Sequence, residues 1–205
     1  AMYCRPFVKY GSTVNLCALD LSKAFDKMNH HALFIKLMKR HIPLNLLCIL
    51  ESWFDNCFTC VKWYGVKSHF FKVNIGIRQG GVLSPFLFAI YLDDVVSRVC
   101  THVCGSVLSI VLYADDIIIL SPSVQVLQEL LVACENELSY LDMALNVKKS
   151  CCMRIGQRCN VNCAAIVTVA GDRLPWVNEI RYLGVYIYKF KHFQAFAQLH
   201  KRSSL

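Results

Sequence analysis

Leu112-Tyr113-Ala114-Asp115-Asp116-Ile117-Ile118-Ile119-Leu120 sets two adjacent carboxylates between two nearly continuous apolar runs, Val107–Leu112 and Ile117–Leu120. Short β-branched runs of this kind read as buried strands, and two strands joined so tightly read as a hairpin. A carboxylate at the rim of a core is costly to desolvate unless positive charge offsets it. No Lys or Arg occurs within ten residues before Asp115 or after Asp116, so the compensating charge is distant in sequence or is not protein. A pair of divalent cations is the sharp reading, because two-metal phosphoryl transfer needs clustered carboxylates on a rigid support. A plain hairpin turn competes with it, since Asp tolerates turn geometry and bonds its own backbone.

The rest of the chain bounds these alternatives. At 205 residues it is one ordinary domain or a domain with a small appendage. With 56% apolar and 18% charged residues it can fill a sizeable core, which excludes a disordered chain. No run of about eighteen uncharged apolar residues is present, so no membrane span is expected. The first dozen residues hold Arg5 and Lys9 without the apolar segment of a signal peptide. Lys and Arg outnumber Asp and Glu by 22 to 14, a net +8 that suits a polyanionic partner. The cysteines are scattered through apolar segments (Cys17, Cys48, Cys100, Cys134) and are expected to be buried free thiols in a reducing compartment. Cys159-x-x-x-Cys163, near Cys151 and Cys152, matches no strong zinc-ligand spacing.

Val14–Asp20 reads as a first strand running into a helix capped by Ser22, with Phe25, Met28, Ala32 and Ile35 at helical spacing. Pro43 opens a second helix through about Phe58, with Leu46, Leu47, Leu50 and Phe54 as its inner stripe. Thr59–Tyr64 and His69–Asn74, separated by Gly65-Val66-Lys67-Ser68, predict a β-hairpin. Ser84-Pro85 starts an apolar helix reaching about Cys104. After the two strands at 107–120, Ser123 caps an amphipathic helix through about Leu141, with Val126, Leu127, Leu130, Leu131, Cys134 and Leu138 inward. Short strands near 149–155, 165–170 and 180–188 complete the pattern, with Gly171-Asp172 as the turn between two of them, and Lys191–Lys201 looks like the opening of a helix. The order is α+β: an antiparallel sheet with helices packed on one face. Tyr91-Leu92-Asp93-Asp94 repeats the Tyr-x-Asp-Asp pattern, but inside a helical pattern, which makes Asp93 and Asp94 that helix's solvated face.

Asp20 ends an apolar strand, Leu16-Cys17-Ala18-Leu19-Asp20. Ser22 is available to cap the adjoining helix, which frees Asp20 for other work. Lys23 and Asp26 fall in the helix and can form an exposed pair. Gly76-Ile77-Arg78-Gln79-Gly80-Gly81-Val82-Leu83-Ser84-Pro85 brings three glycines to the N-terminus of a helix, where backbone can approach a ligand and N–H groups favour phosphate. Arg78 and Gln79 add a charge and a two-sided amide. A hairpin-to-helix connector with a Ser cap and Pro at the first helical position uses the same residues equally well.

Together these segments resemble reverse transcriptases. Leu19-Asp20-Leu21-Ser22-Lys23-Ala24-Phe25-Asp26 resembles motif A, Arg78-Gln79-Gly80-Gly81-Val82-Leu83-Ser84-Pro85 motif B, and Tyr113-Ala114-Asp115-Asp116 motif C. Leu145-Asn146-Val147-Lys148-Lys149-Ser150 is similar to motif D, and Arg181-Tyr182-Leu183-Gly184-Val185 to motif E. The wording of motifs A and E is similar to that of non-long-terminal-repeat (LINE-type) retrotransposons, and the resemblance covers about residues 12 to 190.

The resemblance implies a polymerase palm over residues 1–190. It implies the start of a truncated thumb or connection segment over 191–205, with most of the fingers and thumb missing. It implies RNA-directed DNA synthesis: addition of deoxynucleotides to a primer 3′-hydroxyl by two-metal phosphoryl transfer, within retrotransposition. Asp20, Asp115 and Asp116 would hold two Mg²⁺ ions, with Mn²⁺ as a substitute. Phe25 would lie under the sugar, and Arg78, Gln79, Gly80 and Tyr113 would meet substrate. Lys149 would protonate the leaving pyrophosphate, with Lys148 open as its alternative, and Leu183 and Gly184 would form the primer grip. The partners implied are an RNA template, a DNA primer and deoxynucleoside triphosphates, in the cytoplasm and nucleus. Only nineteen residues precede Asp20, and Arg5 and Lys9 cannot be assigned the triphosphate clamp found upstream of motif A in the family. The alternative is therefore a palm remnant that binds nucleic acid weakly and does not polymerise.

Overall fold

The computed structural model describes residues 12–102 and 109–191. Its first strand, β1 (Val14–Asp20), is apolar except at Asn15 and Asp20. It leads into a short helix, α1 (Ala24–Lys27), then α2 (His30–Lys39) and α3 (Leu44–Asp55). Four two-residue strands come next: β2 (Phe58–Thr59), β3 (Lys62–Trp63), β4 (Val66–Lys67) and β5 (Phe71–Lys72). The long helix α4 (Ser84–His102) precedes β6 (Ser109–Tyr113), β7 (Asp116–Ser121) and α5 (Val124–Ser139). Then come β8 (Cys151–Ile155), β9 (Ile166–Val167), β10 (Arg173–Leu174), β11 (Glu179–Tyr182) and β12 (Val185–Tyr188).

The central sheet has the order β6-β7-β1-β8 and every pairing in it is antiparallel. The strand residues alternate between two apolar environments. Cys17, Leu19, Ile117, Ile119 and Cys152 join the core made with α4 and α5, where Phe88, Leu92, Leu127 and Leu131 are buried. Leu16, Ile118, Leu120, Met153 and Ile155 face the other way and pack with Ile180 of β11. A sheet covered on both faces has no solvent side to mark with polar residues, which accounts for the unbroken apolar runs. The helices lie on one face, as expected, and the β11–β12 segment covers part of the other.

Several local expectations need correction. The helix predicted from Ser22 is two helices. Ser22 is not the cap: Lys23 precedes α1 in the left-handed region (φ 51°) without a side-chain capping bond. The break falls at Met28, which is extended, and Asn29 caps α2 by accepting from the Ala32 N–H at 3.1 Å. An Asn side chain that competes for backbone donors favours a cap over a helix interior. The break shifts the helical phase, so Leu33 and Leu37 point inward and Ile35 is exposed. In α3 Leu47 and Phe54 are buried, Leu50 partly so, while Leu46 is exposed and Phe58 has left the helix for β2.

The predicted hairpin is present as two short ladders, β2 with β5 and β3 with β4. Ser68 joins them: its N–H donates to Val61 O and its hydroxyl accepts from Val61 N–H, both at 2.9 Å. The 165–170 strand shrinks to β9 and pairs across the Gly171-Asp172 turn with β10, which the sequence did not announce. The 180–188 strand is itself a hairpin, β11–β12. Ser123 sits at the N-cap of α5 without making the side-chain bond. The α4 carboxylates are solvated as expected: Asp93 pairs with Arg40, and Asp94 with Lys36 at 3.1 Å. Cys17, Cys134, Cys152 and Cys159 are buried free thiols, and burial pushes Cys134 up to about 12, but Cys48 is exposed. Cys104, Val107 and most of the predicted helix at Lys191–Lys201 lie outside the described residues. No helix among the described residues is long and apolar enough to cross a membrane.

The 76–84 loop is fixed to the sheet through α1. Gly76 N–H donates to Met28 O and Ile77 N–H to Phe25 O, both at 2.7 Å, and His30 Nε2 donates to Gly76 O at 2.6 Å. Gly76 has φ +84°, and a Cβ there would lie 2.8 Å from the Asp26 carbonyl oxygen. Strain and a backbone collision coincide at this residue. Gly76→Ala is therefore expected to destabilise the fold by more than about 2 kcal/mol in urea denaturation. A loss under about half a kcal/mol would show that the loop is not held there.

Candidate active site

β1 and β7 are paired so that Asp20, the last residue of one, lies directly opposite Asp116, the first of the other. The β6–β7 hairpin closes with Tyr113 opposite Asp116, leaving Ala114-Asp115 as the connection. Ala114 takes a positive φ of 52°, a region costly for a residue with a Cβ. Two strand ends and one tight turn thus bring three carboxylates to the same end of the sheet.

The 144–150 loop is clipped onto this end. Ser22 N–H donates to Ala144 O and Asn146 N–H to Asp20 O, each at 2.8 Å. The buried Ser150 hydroxyl accepts from Asp20 N–H at 3.1 Å and donates to Asn146 O at 2.9 Å. Both backbone groups of Asp20 are therefore held by the loop that carries the lysines. Lys149 is the lysine that reaches the carboxylates: its Nζ is 3.7 Å from Asp20 Oδ2. The distant positive charge anticipated from the sequence is supplied in part by this ammonium.

Burial pushes the Asp116 carboxyl above its usual range, the charges of Asp115 and Asp20 push it further, and Lys149 opposes them. These carboxylates repel one another, and their oxygens are the hard donors that Mg²⁺ prefers. The donor set and its backbone placement fit a divalent cation. The side chains themselves are not gathered into a coordination sphere: no group of three His, Cys, Asp or Glu among the described residues converges closely enough to hold a metal.

Most of the other residues singled out from the sequence occupy three separate places. Arg78, Gln79 and Gly80 form an exposed rim, whose closing contact is the Ser84 hydroxyl donating to Arg78 O rather than capping α4. No hydrogen bond or ion pair among the described residues ties their side chains to the carboxylates. Arg78 and Gln79 line a cavity of about 430 Å³ together with Asp26, Trp53 and Thr59. Phe25 is half-buried, its ring 4.5 Å from that of Phe88, so the core contact is present beside any role toward a sugar. Leu183 and Gly184 make the β11–β12 turn, both with positive φ (48° and 77°), and both are exposed.

Tyr182 was not among the residues expected to matter. Its hydroxyl is buried without a hydrogen-bond partner among the described residues. Burial, and then the Asp116 charge, push its phenol upward, so it borders the carboxylates. The signal was available in the alternation of β11, where Ile180 and Tyr182 share the face turned to the sheet.

An antiparallel sheet with helices on one face and paired carboxylates at a strand end and a hairpin defines a polymerase palm. Residues 9–187 match the family described as reverse transcriptase (RNA-dependent DNA polymerase), and the chain belongs to that family. It is similar to the Pol polyprotein from the type-2 retrotransposable element R2DM of Drosophila melanogaster, with 26% identity over 86% of this chain and 18% of that one. It is also similar to the RNA-directed DNA polymerase from the mobile element jockey of Drosophila funebris, with 28% identity over 82% of this chain and 19% of that one. Both relatives come from mobile genetic elements. The chain spans about a fifth of their length. In fold it is similar to apo telomerase from Candida tropicalis truncated from its C-terminal domain, with a TM-score of 0.64 at 15% identity over 91% of this chain and 36% of the other.

A carboxyl raised in the folded state holds its proton more tightly there than in the unfolded chain. The resulting penalty is complete above the raised value and vanishes as pH falls below the ordinary 3.8. In the presence of a chelator, Asp116→Asn is expected to raise the melting temperature at pH 7, with the gain fading as the pH drops below about 4. An unchanged or lower melting temperature at pH 7 would contradict the repulsion.

Proposed function

We propose that this chain is the palm of an RNA-directed DNA polymerase that extends a DNA primer on an RNA template during retrotransposition. The observation that carries this is the direct opposition of Asp20 and Asp116, with Asp115 in the adjoining turn and Lys149 at 3.7 Å from Asp20. Asp20, Asp115 and Asp116 would hold two Mg²⁺ ions, with Mn²⁺ as a substitute. Bound there, the cations supply charge neutralisation and acidify the primer 3′-hydroxyl. The remaining work falls to the chain's own groups. The 3′-oxygen attacks the α-phosphorus of the deoxynucleoside triphosphate, and the bond to pyrophosphate breaks. Lys149 would give a proton to the departing pyrophosphate oxygen, a role that its 3.7 Å approach to Asp20 supports.

Gln79 and Gly80 are exposed on the rim where an incoming nucleotide and template would lie, and Arg78 adds a cation for the triphosphate. Tyr113, 59% exposed at the end of β6, offers a ring beside the carboxylates. The Leu183-Gly184 turn projects from the hairpin that backs Asp116 and would steady the primer end. The second reading is a palm that binds nucleic acid weakly without polymerising.

Mg²⁺-dependent extension of a DNA primer on an RNA template separates the two. Extension that drops by at least about a thousandfold in Asp115→Asn is the expected result. Extension unaffected by that change would remove the carboxylates from the mechanism, and none from the parent chain would favour the non-polymerising palm. Phe25→Ala is expected to relax discrimination against ribonucleotides, read as the ratio of kcat/KM for deoxy- and ribonucleotides. An unchanged ratio would return Phe25 to the core alone.

A further inference from the structure

Between Asp55 and Asp93 the chain holds Lys62, Lys67, Lys72 and Arg78 and no carboxylate. Lys72 is neutralised by Asp55 at 2.9 Å. Lys62 and Lys67 are not: they form no ion pair with a described residue and are register partners across β3–β4. Like charges directly opposite each other destabilise a ladder, and this ladder has only two residue pairs to hold it together. The same hairpin exposes its aromatic residues. Trp63 is 72% and Tyr64 93% exposed, their rings edge to face at 5.4 Å around the tip. Exposed rings beside uncompensated lysines are a poor surface for water and a poor one for a protein partner, since lysine is depleted at protein interfaces. They suit a polyanion that carries flat apolar faces.

We propose that the β3–β4 hairpin is a docking platform for an unpaired polynucleotide strand. A strand passing over the tip sets its phosphates against Lys62 and Lys67 and stacks bases on Trp63 and Tyr64. A duplex keeps its base faces stacked inside and has none to offer these rings, so the strand is single. At the hairpin's foot, Thr59 and Trp53 line the same cavity as Arg78 and Gln79, which links the platform to the rim of the candidate active site. The strand's identity as template ahead of the site rests on the polymerase reading; its binding does not.

The test is fluorescence anisotropy of labelled oligouridine RNA with the whole chain, in chelator so that no catalysis is involved. Trp63→Ala is expected to weaken binding about tenfold without altering its salt dependence, and Trp63→Phe to recover most of the loss. Lys62→Gln/Lys67→Gln is expected to make the slope of log affinity against log salt shallower by about 1.4, for two lost phosphate contacts. Binding is read in chelator and primer extension with Mg²⁺, so a failure of polymerisation and a failure of the platform give different patterns. Circular dichroism melts of the exposed-residue variants check that the fold is kept. Parental affinity and slope in the hairpin variants would overturn the platform. Parental RNA binding together with a change in self-association by sedimentation would overturn it in favour of contact between copies.

Discussion

The opposition of Asp20 and Asp116 is the constraint around which the rest of the molecule is arranged. Two carboxylates at the end of a buried antiparallel pair repel each other and resist desolvation, and the raised Asp116 carboxyl records both effects. Such a pair survives only on a support that cannot relax. The support is the apolar β1–β7 pairing, buried on both faces, with the Asn146 and Ser150 bonds fixing the Asp20 backbone from outside the sheet. The backbone therefore fixes where the charges are, and repulsion acts only on the side chains.

The same logic separates what could be read in the sequence from what could not. The central sheet was legible because β1, β6 and β7 are largely apolar runs with a polar residue at an end, and such runs have few other fates. The carboxylates were legible because nothing nearby in sequence could neutralise them. The break at Met28-Asn29 was not, since Ala32 and Ile35 continue the spacing of Phe25 and Met28 as one apolar stripe, and one Asn side chain starts the new helix in which Leu33 and Leu37 are the buried residues. Strand β10 was hidden because a two-residue ladder leaves no periodicity to detect. That Lys149 is the lysine near Asp20 depends on how the 144–150 loop is clipped to β1, a long-range hydrogen-bond pattern with no local signature. For Tyr182 the alternation of β11 showed which face it takes, but the influence of Asp116 on it comes only from packing of that hairpin on the far face of the sheet.

Rigidity and exposure are distributed unevenly across the molecule, and the distribution tracks the chemistry. The carboxylates sit on strand ends backed by two cores, where small displacements are resisted by close packing. Arg78, Gln79 and Gly80 sit on an exposed loop that is anchored at only a few points, chiefly the Gly76, Ile77 and Ser84 hydrogen bonds. Groups that must contact a ligand of varying sequence gain from adaptability; groups that must meet reacting oxygens lose from it. The loop is accordingly anchored at its two ends and open between them.

The exposed hairpin extends that gradient. Its two-residue ladders contribute little pairing, it is held to the rest by Ser68 and Val61, and its paired lysines oppose it further. A stable fold gains nothing from such an arrangement, because replacing one lysine by an acid would turn a repulsive pair into an attractive one. No carboxylate occurs in the sequence between Asp55 and Asp93, so the hairpin and the Arg78 rim share this bias, although Asp26 lines the cavity between them. One end of the sheet concentrates negative charge and the neighbouring edge concentrates positive charge. A polynucleotide meeting this surface is drawn to the edge and repelled by the carboxylates. It can approach them closely only when cations or the Lys149 ammonium stand between.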